Sequence, residues 1–181
     1  MSRLAKKAKK GMSSVREHKA HAPTRVACFV VTSSDSRTEA TDESGRCIAQ
    51  LLAKAGHPVV GRLVVKDDPQ ALRAVLTDRA SQAGARAVII SGGTGIGPRD
   101  GTHETVARLL EKRLDGFGEL FRMLSYEEIG SAAMMSRAIA GTYKGMLLFS
   151  IPGSPGSAAL AMERLILPEL GHALRELTRV P

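Results

Sequence analysis

Tryptophan is absent from the 181-residue chain, and four Phe and two Tyr supply all of its aromatic surface. A protein that stacks bases on aromatic platforms needs more, so the composition argues against nucleic acid as a partner. Cysteine is as scarce: Cys28 lies in an apolar run and Cys47 in a helical pattern, spaced unlike any zinc or redox motif. Both read as idle thiols. No stretch approaches the roughly 20 apolar residues that cross a bilayer, which removes a membrane span. No apolar segment follows the N-terminal lysines, so nothing reads as a secretory signal and the cytoplasm is the default compartment. The histidines (His18, His21, His57, His103, His172) lack ligand spacing, and no Ser-His-Asp or Cys-His set is legible. Any chemistry must rest on carboxylates, cations and backbone.

What the chain does have is basic charge, and it is unevenly spread. The net charge of +8 comes from 26 Lys or Arg and 18 Asp or Glu. Residues 1–25 hold eight of the bases (Arg3, Lys6, Lys7, Lys9, Lys10, Arg16, Lys19, Arg25) and one acid, Glu17, which leaves 18 bases against 17 acids elsewhere. The basicity therefore belongs to a tail over residues 1–24. Many like charges with few apolar residues predict disorder there, with contact to acidic surfaces or RNA as the minor alternative. Residues 25–181 are expected to form one nearly neutral domain around a single core.

From Arg25 onward, strand-like apolar runs alternate with segments of helical period, which predicts an α/β layered domain with helices packed on both faces of a largely parallel sheet. The run Val26–Thr32, uninterrupted by charge, reads as a central strand buried on both faces. Asp42 is placed to cap a helix carrying Ile48, Leu51, Leu52 and Ala55, with Gly56 as its stop. Residues 58–65 read as a second strand. Asp68 and Pro69 fit the N-cap and first position of a helix with Leu72, Val75, Leu76, Ala80 and Ala83 inward, ending near Gly84. Residues 87–90 form a third strand. Helices are predicted around Val106, Leu109 and Leu110, then around Phe117, Leu120, Phe121 and Leu124. Ser125 with Glu128 matches a capping box for another helical stretch reaching about Ala140. Residues 146–151 form a further strand, and the turn from Pro152 to Gly156 feeds a last helix with Ser157 as candidate cap and Pro168 as a kink.

Chemistry is best sought at Ser91-Gly-Gly-Thr-Gly-Ile-Gly-Pro-Arg-Asp100, between a buried strand and a helix, where open α/β sheets bind ligands. Glycines there let backbone N–H groups reach phosphate oxygens, and Arg99 adds a cation; a plain tight turn is the bland alternative. The loop is no P-loop, since Lys and Ser/Thr are missing at the required offset, and Pro98 spoils the dinucleotide fingerprint. Asp67 after the second strand and Asp100 after the glycine loop can converge as a carboxylate pair for Mg²⁺. Asp100 reads equally well as a helix cap. Asp68 reads as the cap before Pro69, which leaves Asp67 without a structural task.

Four motifs in order now carry a resemblance: the glycine loop, Gly116-Phe-Gly-Glu-x-Phe-Arg122, Ser136-Arg-Ala138 with Gly141, and Pro152-Gly-Ser-Pro155. Over roughly residues 25–175 the chain resembles the MoaB and MogA family of molybdenum cofactor biosynthesis proteins. Phe121-Arg-Met-Leu-Ser-Tyr-Glu-Glu-Ile-Gly130 favours the MoaB branch. The resemblance implies a three-layer α/β/α fold on a largely parallel, mixed sheet, a homo-oligomer, trimer or hexamer, and, in active members, transfer of AMP from ATP to molybdopterin. It implies that Gly92, Gly93, Thr94 and Gly95 hold phosphate and that Asp67 and Asp100 are the essential acids. Ser34, Asp35 and Arg37, with Asp42, Ser44 and Gly45, match its first ligand-contacting region, and Pro152, Gly153 and Ser154 its last. Ser91, Arg99, Ser136 and Arg137 complete the expected binding set.

The mechanism so implied needs no general base, because a terminal phosphate is already an anion at neutral pH; positioning and charge neutralisation must suffice. Arg99, Arg37 and Arg137 are the candidate cations, with Mg²⁺ on the two acids. The rival expectation is a carrier of the same pathway that binds molybdopterin without catalysis. Both acids of active members are kept here, which tilts the expectation toward an enzyme.

Overall fold

A computed structural model describes residues 21–179. Residues 1–20, most of the expected basic tail, and residues 180–181 lie outside the described residues. The strands are β1 (Cys28–Ser33), β2 (Val59–Val65), β3 (Ala87–Ser91), β4 (Lys112–Arg113), β5 (Ile139–Tyr143) and β6 (Met146–Ile151). They form one sheet in the order β2-β1-β3-β6-β5-β4. Strands β2, β1, β3 and β6 are mutually parallel; β5 runs antiparallel to β6, and β4 to β5. The expected mixed, mostly parallel α/β sheet is present.

Side-chain alternation along the strands divides the core in two. Cys28, Val30, Ala87, Ile89, Leu147 and Phe149 face one layer, built by α1 (Glu43–Lys54), α4 (Asp115–Ile129) and α5, which begins at Pro155–Ala161. Phe29, Val31, Val88, Ile90 and Leu148 face the other, built by α2, which begins at Pro69–Ala74, and α3 (Thr102–Leu109). Fully buried Phe121, Ile48, Leu72 and Leu76 anchor the helices at roughly 2 kcal/mol apiece. Cys28 and Cys47 are free, and burial pushes the Cys28 thiol up to about 12, so it stays an inert core group.

Several predicted boundaries hold for their predicted reasons. Asp42 caps α1 by accepting from Gly45 N at 2.8 Å, and Asp68 caps α2 by accepting from Ala71 N at 2.7 Å with Pro69 in the first turn. Both long helices widen into π turns, α2 at Val75–Arg79 before Ala80–Gln82, and α5 at Met162–Ile166 before Leu167–Thr178. The turn in α5 sits just ahead of Pro168, whose missing N–H it accommodates without breaking the helix.

Other expectations are corrected. Ser125 starts no helix: it is buried inside α4, which runs unbroken to Gly130 (φ +62°) because no breaking residue precedes it. A 3₁₀ segment, Gly130–Met135, follows, and residues 139–140 belong to β5 rather than to a helix. Ser154, not Ser157, caps α5; its Oγ accepts from Ser157 N at 3.1 Å. Strands β4 and β5 were not anticipated.

Candidate functional site

Register levels the strand ends: Ser33 lies beside Val65, Thr32 beside Ser91, and Ser91 beside Ile151. Four loops therefore leave the sheet together. The chain passes from β1 to β2 on one side and resumes at β3 on the other, so the order reverses between β1 and β3, the position at which open α/β sheets form a binding crevice. A cleft of ≈ 440 Å³ opens there, within the roughly 300–1,000 Å³ range of small-molecule sites.

Most of the predicted site residues line this cleft: Ser34, Asp35, Arg37 and Ser44 from the first loop and helix, Asp67, Gly92, Gly93, Thr94, Gly95 and Asp100, Ser136, and Pro152 with Gly153. Thr32, Ser33, Glu43, Ala132, Met135 and Pro155 line it too. Glu43, Ala132 and Met135 lay outside the expected set. Glu43 follows the cap Asp42 at the switch point, a signal that was available; Ala132 and Met135 depend on where the 3₁₀ segment folds back, which no local pattern reveals.

The glycine loop is pinned from both neighbours. Gly92 N donates to Ile151 O at 3.1 Å, Ser91 Oγ to Pro152 O at 3.5 Å, and Thr102 N to Gly93 O at 3.0 Å. Gly92 and Gly93 take φ of +99° and +60°, a region L side chains avoid. A Cβ on Gly93 would stand 2.3 Å from Thr102 Oγ1 and 2.5 Å from Asp67 Oδ1, and one on Gly95 2.5 Å from Asp100 Oδ2. The backbone thus touches both acids, and no larger residue leaves room for them.

Asp67 accepts from Ser33 Oγ at 3.3 Å, and its own N–H donates to Asp35 Oδ1 at 3.4 Å. Burial raises its pKa; hydrogen bonds from Ser33 and the Gly101 backbone oppose that, while the charges of Asp100 and Asp35 add to it. Asp100 does not cap α3, whose N-cap is Gly101; its Oδ2 accepts from Gly97 N at 2.8 Å across the turn. Thr102 Oγ1 is buried with no hydrogen-bond partner at the corner shared by Gly93 and Asp67. Asp35, Glu43, Asp67 and Asp100 face the cleft against one guanidinium, that of Arg37, so the wall is anionic.

Six expected ligand residues do not line the cleft. Asp42 is buried behind it, accepting from Thr32 Oγ1 at 3.0 Å and from Gly45 N, and paired with Arg62 at 3.3 Å, with Gly45 packed on its carboxylate. Ser91 ties two loops together, and Ser154 caps α5. Arg99 is 74% exposed and paired to Asp35 at 2.8 Å. Arg137 turns its guanidinium onto the backbone of the glycine loop: Nε donates to Thr94 O at 2.8 Å and Nη2 to Gly95 O, while Nη1 pairs with Glu104. That contact holds the Glu104 carboxyl below its ordinary pKa.

The sequence model of the probable molybdopterin binding domain family matches residues 29–172. Molybdenum cofactor biosynthesis protein B of Bacillus cereus is 52% identical over 167 residues, covering 92% of this chain and 99% of that one. A crystal structure of a molybdenum cofactor biosynthesis protein B superposes with a TM-score of 0.83 at 52% identity, covering 88% of this chain and all of the other. The tungsten cofactor synthesizing protein MoaB from Pyrococcus furiosus superposes at 0.80 with 36% identity, over 87% of this chain and 100% of its own. The chain belongs to the molybdopterin-binding domain family of molybdenum cofactor biosynthesis proteins, with MoaB and MogA as its structural neighbours.

Proposed function

We propose that the chain binds molybdopterin and adenylylates its terminal phosphate from Mg-ATP, releasing pyrophosphate. One observation carries this reading: Asp67 and Asp100, supplied by separate loops, both abut the backbone of a single glycine turn at the switch point of the sheet. Phosphate oxygens would meet backbone N–H groups there, beside Arg37. The pterin phosphate needs no base. An oxygen of that phosphate forms a bond to the α-phosphorus of ATP as the bond from the α-phosphorus to the bridging oxygen breaks, and the electron pair leaves on pyrophosphate.

The residues fit Mg²⁺. An anionic wall repels a phosphate ligand unless a cation accompanies it, and two carboxylates are the usual protein share of a Mg²⁺ site, water and phosphate supplying the rest. Among the described residues no group of three or more His, Cys, Asp or Glu side chains is set to hold a metal, so Asp67 and Asp100 would hold this one alone. When bound, the ion supplies charge neutralisation at the phosphates. Thr94 and Gly95 orient the phosphates, and Arg99 lies at the rim.

The test is pyrophosphate release from Mg-ATP with molybdopterin, in the wild type and in Asp67→Asn and Asp100→Asn. Losses of about 100-fold or more are expected in each variant. Equal rates in all three overturn the reading, and wild-type pterin binding without any pyrophosphate favours the carrier instead. We also infer a homo-oligomer, trimer or hexamer, from the exposed apolar side chains Leu120, Met123, Tyr126 and Ile129, which recur every third residue along α4, with Met134 beyond them. A monomeric mass in solution excludes it. No helix among the described residues is long and apolar enough to cross a membrane.

A further inference from the structure

We infer that Arg137 is a positioning residue: it holds two consecutive carbonyls of the glycine loop outward so that the two attached N–H groups present themselves as a preformed anion cradle. The inference rests on the reading of that loop as a phosphate site. Thr94 O and Gly95 O both accept from the guanidinium, through Nη2 at Gly95 and through Nε at 2.8 Å to Thr94. Among the described residues no peptide is cis, and in a trans peptide the C=O and N–H point in opposite directions. The N–H groups of Gly95 and Ile96 therefore face away from the guanidinium. Among the described residues neither N–H has an acceptor, whereas Gly97 N, next in line, is taken by Asp100.

The guanidinium is itself held. Nη1 pairs with Glu104 on the first turn of α3, and the Arg137 carbonyl meets His103 Nδ1 at 2.6 Å. Its side chain is 25% exposed, and it follows Ser136 on the cleft wall, so the clamp is built into the rim rather than swung in from solvent. Hydrogen bonds from a cation also polarise the peptides that accept them, which strengthens their N–H groups as donors. The fork is what matters: a guanidinium spans two adjacent carbonyls and a carboxylate in one plane, and a lysine ammonium cannot. Arg137 thus acts on an anion through the backbone, whereas Arg37 lines the cleft and can meet an anion directly.

Amide NMR on the full chain, titrated with inorganic pyrophosphate and Mg²⁺, tests this. In the wild type the Gly95 and Ile96 amide protons should move downfield as the anion binds. In Arg137→Lys and Arg137→Gln those shifts should shrink together, with binding weaker by roughly tenfold, the worth of about one net hydrogen bond. Glu104→Gln, which leaves Arg137 in place without its anchor, should show an intermediate loss. Rescue by Lys to wild-type shifts and affinity means that Arg137 works as a simple charge and overturns the inference. Wild-type amides that ignore pyrophosphate overturn instead the phosphate reading of the loop. Should Arg137→Gln fail to fold, Glu104→Gln and Arg137→Lys still decide the matter.

Discussion

Glycines serve the two ends of this sheet in different ways. At the end where the parallel strands begin, Gly56, Gly84 and Gly145 turn the chain with φ of +83°, +71° and +73°, and a Cβ on any of them would meet nothing within 4 Å. At the end where they finish, a Cβ on Gly92 would lie 2.2 Å from Ser33 O, and those on Gly93 and Gly95 would press into Asp67 and Asp100. The first group is glycine for backbone freedom alone; the second also because carboxylates must touch the chain. Replacing Gly93 with Ala should break this comparison most visibly. We expect pyrophosphate release to fall by about 100-fold or more, since misplacing reacting groups by about an ångström already costs that much. Gly145→Ala should cost only ~1 kcal/mol of left-handed strain and leave turnover intact. Comparable turnover in the two variants removes the distinction.

The same end of the sheet holds charge at the expense of stability. Asp67 has its pKa raised by burial and by Asp100 and Asp35, so keeping it ionised at neutral pH opposes folding. The sign follows: an acid whose folded pKa lies above its unfolded value destabilises the native state at neutral pH, and the penalty vanishes as pH falls below the ordinary value of 3.8. Asp67→Asn keeps the shape and an oxygen to accept from Ser33. It should therefore abolish turnover while raising the melting temperature at pH 7, a gain that disappears in acid. A lower melting temperature at pH 7 would show that the carboxylate is a structural anchor rather than a group held ready for a cation.

How far this contrast could be foreseen differs with the physics behind each element. The parallel strands and their helices were legible because burial on both faces leaves charge-free runs such as residues 26–32, and caps such as Asp42 and Asp68 leave a local signature. β5 was not, because its pattern is diluted by Gly141, a position where a Cβ would stand 2.1 Å from Lys112 O of the neighbouring edge strand. That glycine is explained only by a partner strand. At the site, Asp67 was singled out because it lacks a structural task, and Asp100 by its place after the glycine loop, where it read equally well as a cap. Asp42 read as a cap and entered the ligand set through the resemblance; its cap geometry and burial beneath the cleft satisfy the first role completely. Arg137 was placed among the phosphate cations because a guanidinium that binds backbone carbonyls reads in sequence like one that binds phosphate.

Acid should sharpen the comparison from the opposite end. His57 is 7% exposed and its Nδ1 accepts from Val26 N at 3.1 Å, just ahead of β1; burial lowers its pKa. The unfolded chain takes up the proton near 6.5 while the native state resists it. Its contribution is therefore complete above pH 6.5 and drains away as pH falls toward the folded value. Where Asp67 ceases to oppose folding in acid, His57 begins to. Denaturant midpoints at pH 7.5 and 5 should separate in the wild type and draw together in His57→Gln; parallel pH dependence in the two proteins would remove His57 from the account.

The smallest effect is expected at the turn that joins β5 to β6, the one described place where a residue other than glycine takes positive φ. Lys144 (φ +46°) and Gly145 (φ +73°) make a two-residue hairpin connection of the type that favours Asn-Gly. Lysine pays about 1–2 kcal/mol for that conformation, and asparagine, which tolerates it through local hydrogen bonding, pays less. Against the gain stands the Lys144 ammonium, 5.4 Å above the Tyr143 ring, worth roughly 0.5–1 kcal/mol where exposed. The bond from Lys144 N to Glu111 Oε1 at 3.1 Å is backbone and survives the change. Lys144→Asn should therefore stabilise the fold by about 0.5 kcal/mol in urea, with pyrophosphate release unaltered. A loss of stability would mean that the ammonium over the ring outweighs the strain, and this end of the sheet would then also be held by charge.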